Sequence, residues 1–363
     1  MNKVKLVIDG LEYSGWKDVS ITSQLQSFAR AFKLVLTIGT GEKPWQINSA
    51  SIVEVYAGED KVLSGYVTDI AEEFSPGETT ISVSGAGKGI DLVECSVPMQ
   101  VSKAYKNTTI GTVVSTICSS FGIHAIDEVG RKDNIDLNFS PEDKVSDVLK
   151  GLVSEYQLLL TDDENGNIHL VRIGSRIASD ALRFSQNLLY LKKTQKTNGL
   201  YRDYVLIGQG SNATSDREAD AHKLKETASL AWRPRTFVKS ESGDMTREKL
   251  KAKAIALRDY NAATATVYTV RVQGWRQSNG DLWTVNSLVD LYPHPKDKGK
   301  KLLISKVALS LSSRGMLTEL ELMDTDAFID LNCSHIKDIS DSKNKKINLA
   351  SIESKAGGEW TVT

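Results

Sequence analysis

A chain of 363 residues is long enough for two or three domains with substantial hydrophobic cores. Its 40% apolar and 25% charged content is that of a folded globular protein, and a formal net charge of −1 argues against a general nucleic-acid coat or a polybasic membrane binder. Cys95, Cys118 and Cys333 are too few and too scattered for a disulfide framework and point to a reducing compartment, and no apolar run suits a signal peptide or a membrane-spanning helix.

Residues 1–97 read as β almost throughout. Val4–Gly10 is a short strand, and Val19–Ile38 holds two longer ones, the second rich in residues that fit a pleated surface. Ser51–Ile70 has the form of a hairpin around Ala57-Gly-Glu-Asp60. A second turn, at Ser75-Pro-Gly-Glu78, leads into the period-2 run Ile81-Ser-Val-Ser84. Strands this short and this closely spaced suggest a small barrel or sandwich.

After Pro98 the period changes. Ile110, Val113, Val114, Ile117 and Phe121 mark one face of a helix capped by Asn107 or Thr108 and ended by Gly122. Val145, Val148, Leu149, Leu152 and Tyr156 repeat the same offsets behind Ser140-Pro141. Asn165-Gly166, flanked by Gln157–Thr161 and Ile168–Ile173, is a hairpin signal. Residues 98–176 are therefore expected to form an α+β domain of two helices and a hairpin.

The β pattern returns over 177–210 and ends in Tyr201-Arg-Asp-Tyr-Val-Leu-Ile207, which parallels Phe28–Leu36. Residues 211–261 are polar, with 11 Lys and Arg against 8 Asp and Glu, and carry one helix over Thr246–Asn261 with Leu250, Ala254 and Leu257 on one face. They read as an α+β insertion that splits a second β unit made of 177–210 and 262–331. The tail, 332–363, is linker-like in composition apart from the apolar islands Ile347–Leu349 and Trp360–Val362.

The strongest pattern is a repetition. Trp45–Leu92 and Trp283–Leu331 each begin Trp-x-(Ile/Val)-Asn-Ser (Trp45–Ser49, Trp283–Ser287) and close on Ile-Asp-Leu (Ile90–Leu92, Ile329–Leu331). Nearly equal lengths of alternating strand pattern lie between. A β unit duplicated at this length is what a ring or tube of pseudo-equivalent parts needs.

No chemistry of comparable weight emerges. Gly85-Ala-Gly-Lys-Gly89 lacks the spacing of a phosphate loop, and the second copy has Asp324-Thr-Asp-Ala-Phe328 there. Asp162-Asp-Glu-Asn-Gly-Asn167 lacks the ligand spacing of a calcium loop, and Cys118, His124, Cys333 and His335 have no zinc-site spacing. Glu72 and Glu73 are neighbours on a strand and point to opposite faces. The basic residues of the insertion (Arg233, Arg235, Lys239, Arg247, Lys249, Lys251, Lys253) read as a solvated face. Trp16, Trp45, Trp232, Trp275 and Trp283 read as core or interface anchors. Trp360, with Ile347 and Leu349, reads as an intermolecular anchor in the tail. No catalytic residue, cofactor or metal is expected.

Several stretches, in order from residue 3 to 331, resemble the baseplate hub protein of Mu-like contractile-tailed phages and, more distantly, the hub of T-even phages. They are Gly65-Tyr-Val-Thr-Asp-Ile70, Ile81–Ser96, Leu158–Asp163, Arg233-Pro-Arg235, Val272–Gln277, Asn279–Asn286 and Leu302–Val307. The resemblance implies a β-rich α+β multidomain protein with two similar small tail-tube-like β-barrels plus small α+β domains. It implies a structural virion protein without catalysis, a homotrimer at the centre of the baseplate that joins the sixfold tail tube to the threefold membrane-piercing spike. Other baseplate proteins would be its neighbours, and DNA would pass through its channel without specific binding or stable membrane insertion. Contractile bacteriocins and related injection machines use the same part. A glycan-binding β protein and a hydrolase with a concealed site are the competing readings.

Overall fold

The computed structural model describes residues 4–8, 10–39, 47–102, 104–184, 186–209, 220–223, 233–244, 247–293 and 298–329. Trp45, Trp232, Cys333, His335, Ile347, Leu349, Trp360 and the rest of the 332–363 tail lie outside them.

Alternating apolar residues build the first β module: β1 (Val4–Ile8), β2 (Leu11–Tyr13), β3 (Asp18–Gln24), β4 (Ala31–Gly39), β5 (Ile52–Ala57), β6 (Asp60–Ser75) and β7 (Glu78–Gly87). In β1 and β5 every second residue is buried, as a sheet with one face on a core requires. The strands run in the order β3-β4-β7-β6-β5-β1-β2, all antiparallel. The glycines of the suspected phosphate loop have a packing role: a Cβ at Gly89 would lie 1.8 Å from the Phe28 carbonyl oxygen. Backbone packs there, and no phosphate cradle results.

A short helix α1 (Ile90–Glu94) leads to β8 (Ala104–Thr109), α2 (Ile110–Ser119), β9 (Ala125–Asp127), β10 (Asn134–Asn138), α3 (Val145–Glu155), β11 (Leu158–Asp162) and β12 (Ile168–Arg172). Both expected helices are present. Ile110, Val113, Val114 and Ile117 are buried on α2, as are Val145, Leu149 and Leu152 on α3. The α2 cap is Thr109, whose hydroxyl accepts the Thr112 N–H (3.3 Å), one or two residues beyond the cap expected from sequence. The Asn165-Gly166 hairpin joins β11 to β12, with Gly166 at φ +79°.

The second module contains β13 (Arg176–Ile177), β14 (Leu182–Arg183), β15 (Leu188–Gln195) and, much later in the chain, four further strands. Between them stand β16 (Asp203–Gln209), β17 (Asp220–Lys223), β18 (Thr236–Asp244) and α4 (Arg247–Ala265). The strand expected from Tyr201–Ile207 exists as β16, yet its partners are β17 and β18 in a separate three-stranded sheet. Leu206 of β16 packs with Leu250, Ala254 and Leu257 of α4, the face expected for that helix. Residues 196–265 group together as one compact unit, so β16 goes with the inserted segment and not with the second β module.

The chain then returns with β19 (Thr266–Gln273), β20 (Ser287–Tyr292), β21 (Lys300–Ser312) and β22 (Gly315–Met323). Their order is β15-β19-β22-β21-β20, the same as β3-β4-β7-β6-β5. The sixth position differs: β1 runs antiparallel to β5, whereas β13 and β14 run parallel to β20. Among the described residues the two modules are parts of one 14-stranded sheet, and neither closes on itself as a separate barrel.

Candidate functional site

The sheet is continuous because β3 of the first module pairs antiparallel with β21 of the second. Val19 to Gln24 face Leu311 to Lys306, and the Leu25 N–H donates to the Ser305 carbonyl at 2.8 Å. Ile21 and Leu309, opposite each other, are both buried. This joint lies between two copies of one motif, so each copy carries a counterpart of the other's half of it.

Three independent features fix which residues correspond. Both long hairpins end in two-residue turns, Ser75 facing Glu78 and Ser312 facing Gly315. Both long strands bulge at one residue, Thr68 in β6 and Ser305 in β21. Each bulged residue turns its hydroxyl to a carbonyl of the next strand: Thr68 Oγ1 to Ser84 O at 3.4 Å, and Ser305 Oγ to Glu321 O at 3.0 Å. These place β6 on β21 and β7 on β22. Through the neighbouring pairs, Val19 of β3 then corresponds to Leu191 of β15.

The same correspondence corrects the register of the Trp-x-x-Asn-Ser repeat. Trp-x-x-Asn-Ser aligns Asn48 with Asn286, but the residue in the place of Asn286 is Ala50. Both adopt a left-handed backbone (φ +62° and +67°), and both donate their N–H to the residue just before the bulge of the long strand, Asn286 to Ile304 O (3.0 Å) and Ala50 to Val67 O (2.8 Å). The architecture repeats, and its sequence motif is two residues out of register.

Two latches tie the central α+β residues to the modules. Arg30 donates its backbone N–H to Asp162 Oδ2 (2.8 Å), Nε to Oδ1 (3.4 Å) and Nη2 to the Asp162 carbonyl (3.1 Å), while Nη1 reaches Val62 O (2.9 Å). Burial pushes the Asp162 carboxyl up to about 6 even against the neighbouring guanidinium. On the other side, buried Asn286 accepts the Gly174 N–H at Oδ1 (2.7 Å) and donates Nδ2 to Arg172 O (2.8 Å) and Ser175 Oγ (3.1 Å). Neither latch had a signal in the sequence, because both join positions more than a hundred residues apart.

An open, polar cleft of about 860 Å³ lies beside the joint, lined by Glu59, Asp60, Asp162, Glu164 and Arg276 among others. It is the place to look for a concealed hydrolase. Two of its acids are paired with arginines: Asp162 holds Arg30, and Asp60 pairs with Arg276. Among the described residues no group of three His, Cys, Asp or Glu side chains could hold a metal ion. Cys118 is buried on α2, where burial lifts its thiol to about 12 and leaves it inert. Trp16, Trp275 and Trp283 are core residues, as expected, and Trp275 Nε1 donates to Ser310 O (2.9 Å). Arg235 is held within its unit, donating Nη1 to Thr197 O (2.7 Å) and covering the Tyr201 ring.

Two exposed strand edges are counterparts of the halves of the joint between β3 and β21. Asp69–Ser75 of β6 pairs only with β7, since β5 covers β6 no further than Tyr66. Every residue there except Ile70 is exposed, and Phe74 reaches 71%. Apart from a single bridge between Leu188 and Phe184, β15 pairs only with β19 and ends the sheet, with Leu189, Tyr190, Lys192 and Lys193 exposed. Among the described residues no helix is long and apolar enough to cross a membrane.

Comparison with known proteins agrees with this architecture along the chain. Residues 3–87 match the N-terminal domain of Mu phage baseplate assembly protein GpP-like proteins, 89–172 the second domain of gp44-like baseplate hub proteins, and 242–331 the fourth domain of Mu phage baseplate assembly protein GpP. The baseplate hub protein gp44 of Escherichia phage Mu is 24% identical over 357 residues, covering 95% of this chain and 92% of that protein. The 43 kDa tail protein of prophage MuSo2 from Shewanella oneidensis has the same fold (TM-score 0.80, 22% identity, 90% of this chain and 99% of that one). The E. coli c3393 protein, a type VI secretion component described as structurally similar to T4 tail proteins gp27 and gp5, is more distant (TM-score 0.55, 13% identity, 88% and 76% covered). With three domains matched in order and nearly the whole length aligned, the chain belongs to the family of Mu-like phage baseplate hub proteins.

Proposed function

We propose that three copies of this chain form a ring at the centre of a contractile-tail baseplate and convert the sixfold symmetry of the tail tube to the threefold symmetry of the membrane-piercing spike. The observation that carries this reading is the repeated strand order, β3-β4-β7-β6-β5 and β15-β19-β22-β21-β20, joined within one chain at β3 and β21. Two like modules per chain make six from three copies, and head-to-tail contacts give a ring when their rotation closes. In such a ring each module becomes a tube-like barrel wall, and sheet edges gain neighbours that remove their tendency to aggregate.

In this reading 1–97 is the first tube-like module, 98–176 the α+β domain, and 177–210 with 262–331 the second module, its 196–210 part packed with the 211–261 insertion. The tail, 332–363, uses Trp360, Ile347 and Leu349 to grip a neighbouring baseplate or spike protein. The hub holds no cofactor and performs no catalysis. DNA passes through its channel unbound, and the virion part is assembled in the bacterial cytoplasm. The fold likeness to a type VI secretion component favours a second reading, the hub of a phage-derived injection machine, with the same geometry and a different cargo. Light scattering on the purified chain tests the shared claim. A mass near three times 39.9 kDa supports it, and a monomer at every concentration contradicts it.

A further inference from the structure

The in-chain joint is a template for a second joint that one chain cannot make. Its two halves are the outer edge of β3 and the distal half of β21. The counterpart of β3 is β15, and the counterpart of the distal half of β21 is Asp69–Ser75 of β6. These are the two open, exposed edges already described. Within the chain, Leu311 faces Val19, Ser310 faces Ser20 and Leu309 faces Ile21. Replacing each residue by its counterpart gives Phe74 facing Leu191, Glu73 facing Lys192 and Glu72 facing Lys193.

We propose that β15 of one chain adds antiparallel to Asp69–Ser75 of β6 in a second copy, in that register, and that this edge-to-edge pairing joins the subunits of the ring. This rests on the trimer reading above and deepens it by naming the joint. The charge pattern argues for it independently. Nothing in the in-chain template requires charge, since its matching pairs are Ser310–Ser20 and Leu309–Ile21. Yet the transposed register sets two consecutive acids against two consecutive lysines, and opposite charges across antiparallel strands attract. Displacing the register by one residue would set Glu72 against Lys192 but leave Glu73 facing Leu191. Exposed charges also keep both edges from pairing indiscriminately before assembly, whereas the permanent in-chain joint has uncharged residues at the same positions. Each chain carries one edge of each kind, so the contact is head to tail, the kind that gives a ring when its rotation closes.

Charge reversal on the full-length chain, followed by sedimentation velocity across a concentration series, tests this. Glu72→Lys with Glu73→Lys, and separately Lys192→Glu with Lys193→Glu, should each raise the concentration for half-assembly at least tenfold while circular dichroism stays as in the wild type and melting matches that of the wild-type chain diluted until it dissociates. All four changes in one chain should restore the trimer. An equimolar mixture of the two double variants should not, because a ring of three cannot alternate two kinds of chain. Double variants that assemble like the wild type, or a fourfold variant no better than either, would overturn this joint and leave the trimer reading standing. A wild-type chain that never assembles would overturn both.

Discussion

Ile21 on β3 stands directly opposite Leu309 on β21, and through that pair two β modules nearly three hundred residues apart in sequence share one sheet. Both side chains are buried, at 2% and 6% exposure, so the joint is a core contact rather than a surface one. Leu309→Ala removes packing from both modules at once. It should cost about 3 kcal/mol in urea unfolding, the usual range for a buried leucine cut to alanine. A loss below about 1 kcal/mol would mean the modules hold their arrangement without this contact.

The Arg30–Asp162 latch gives a pH-dependent prediction. Asp162 titrates near 6 in the folded chain against 3.8 as a free carboxyl, so its contribution is full below 3.8 and is lost as pH rises through 6. Without the guanidinium the folded value rises further, and ionising the buried acid becomes harder. Arg30→Met should therefore be mildly destabilising at pH 5 and strongly so at pH 8, by about 3–5 kcal/mol once the carboxylate is charged and unpaired. Equal losses at the two pH values would show that Arg30 acts through packing alone.

His169 gives a second. Its Nδ1 lies 2.7 Å from Glu128 Oε1 and its Nε2 3.2 Å from Asp163 Oδ2. The Asp163 contact does most to raise the imidazole above 6.5, against the effect of burial and with help from Glu128. Burial pushes Asp163 up, but bonds from His169, Asn167 and Asn165 together hold it well below 3.8. The histidine's contribution is full below 6.5 and lost as pH rises through its raised value. The aspartate's is present above 3.8 and lost as pH falls through its lowered one. Amide protection factors in the β11–β12 hairpin, with the intrinsic pH dependence of exchange divided out, should thus be highest between about pH 4 and 6.5 and fall above it, and His169→Gln should abolish the alkaline fall. A flat profile in the wild type would contradict the assignment.

Asn286 carries the second latch. Asn286→Ala leaves the Gly174 N–H and the Arg172 carbonyl without their partner and puts alanine at φ +62°. The expected cost is about 3 kcal/mol in melting or urea curves. Ala50→Gly, at the corresponding position of the first module, should be neutral or slightly stabilising, because its left-handed backbone suits glycine and no side chain bonds there.

The helices and hairpins could be read from sequence because their signals are local: Ile110–Ile117 and Val145–Leu152 at helical spacing, Asn165-Gly166 between two strands. The repetition was legible as composition and strand spacing, but its alignment was not. Trp-x-x-Asn-Ser is a local resemblance, whereas the true correspondence of Ala50 and Asn286 is set by hydrogen bonds to Val67 and Ile304. Tyr201–Ile207 alternates as a strand should, and alternation does not say which neighbour a strand will choose. The joint at β3 and β21, like the Arg30 latch, depends on long-range pairing with no local mark. Its charged counterpart at Glu72-Glu73 and Lys192-Lys193 looks in sequence like ordinary solvated surface.

Electron-microscope class averages of the purified full-length chain test the central claim most directly. The account predicts a hollow threefold ring whose rim shows six similar lobes, alternating between first and second modules. Compact particles without a central opening, or rings with twofold or fourfold symmetry, would contradict it.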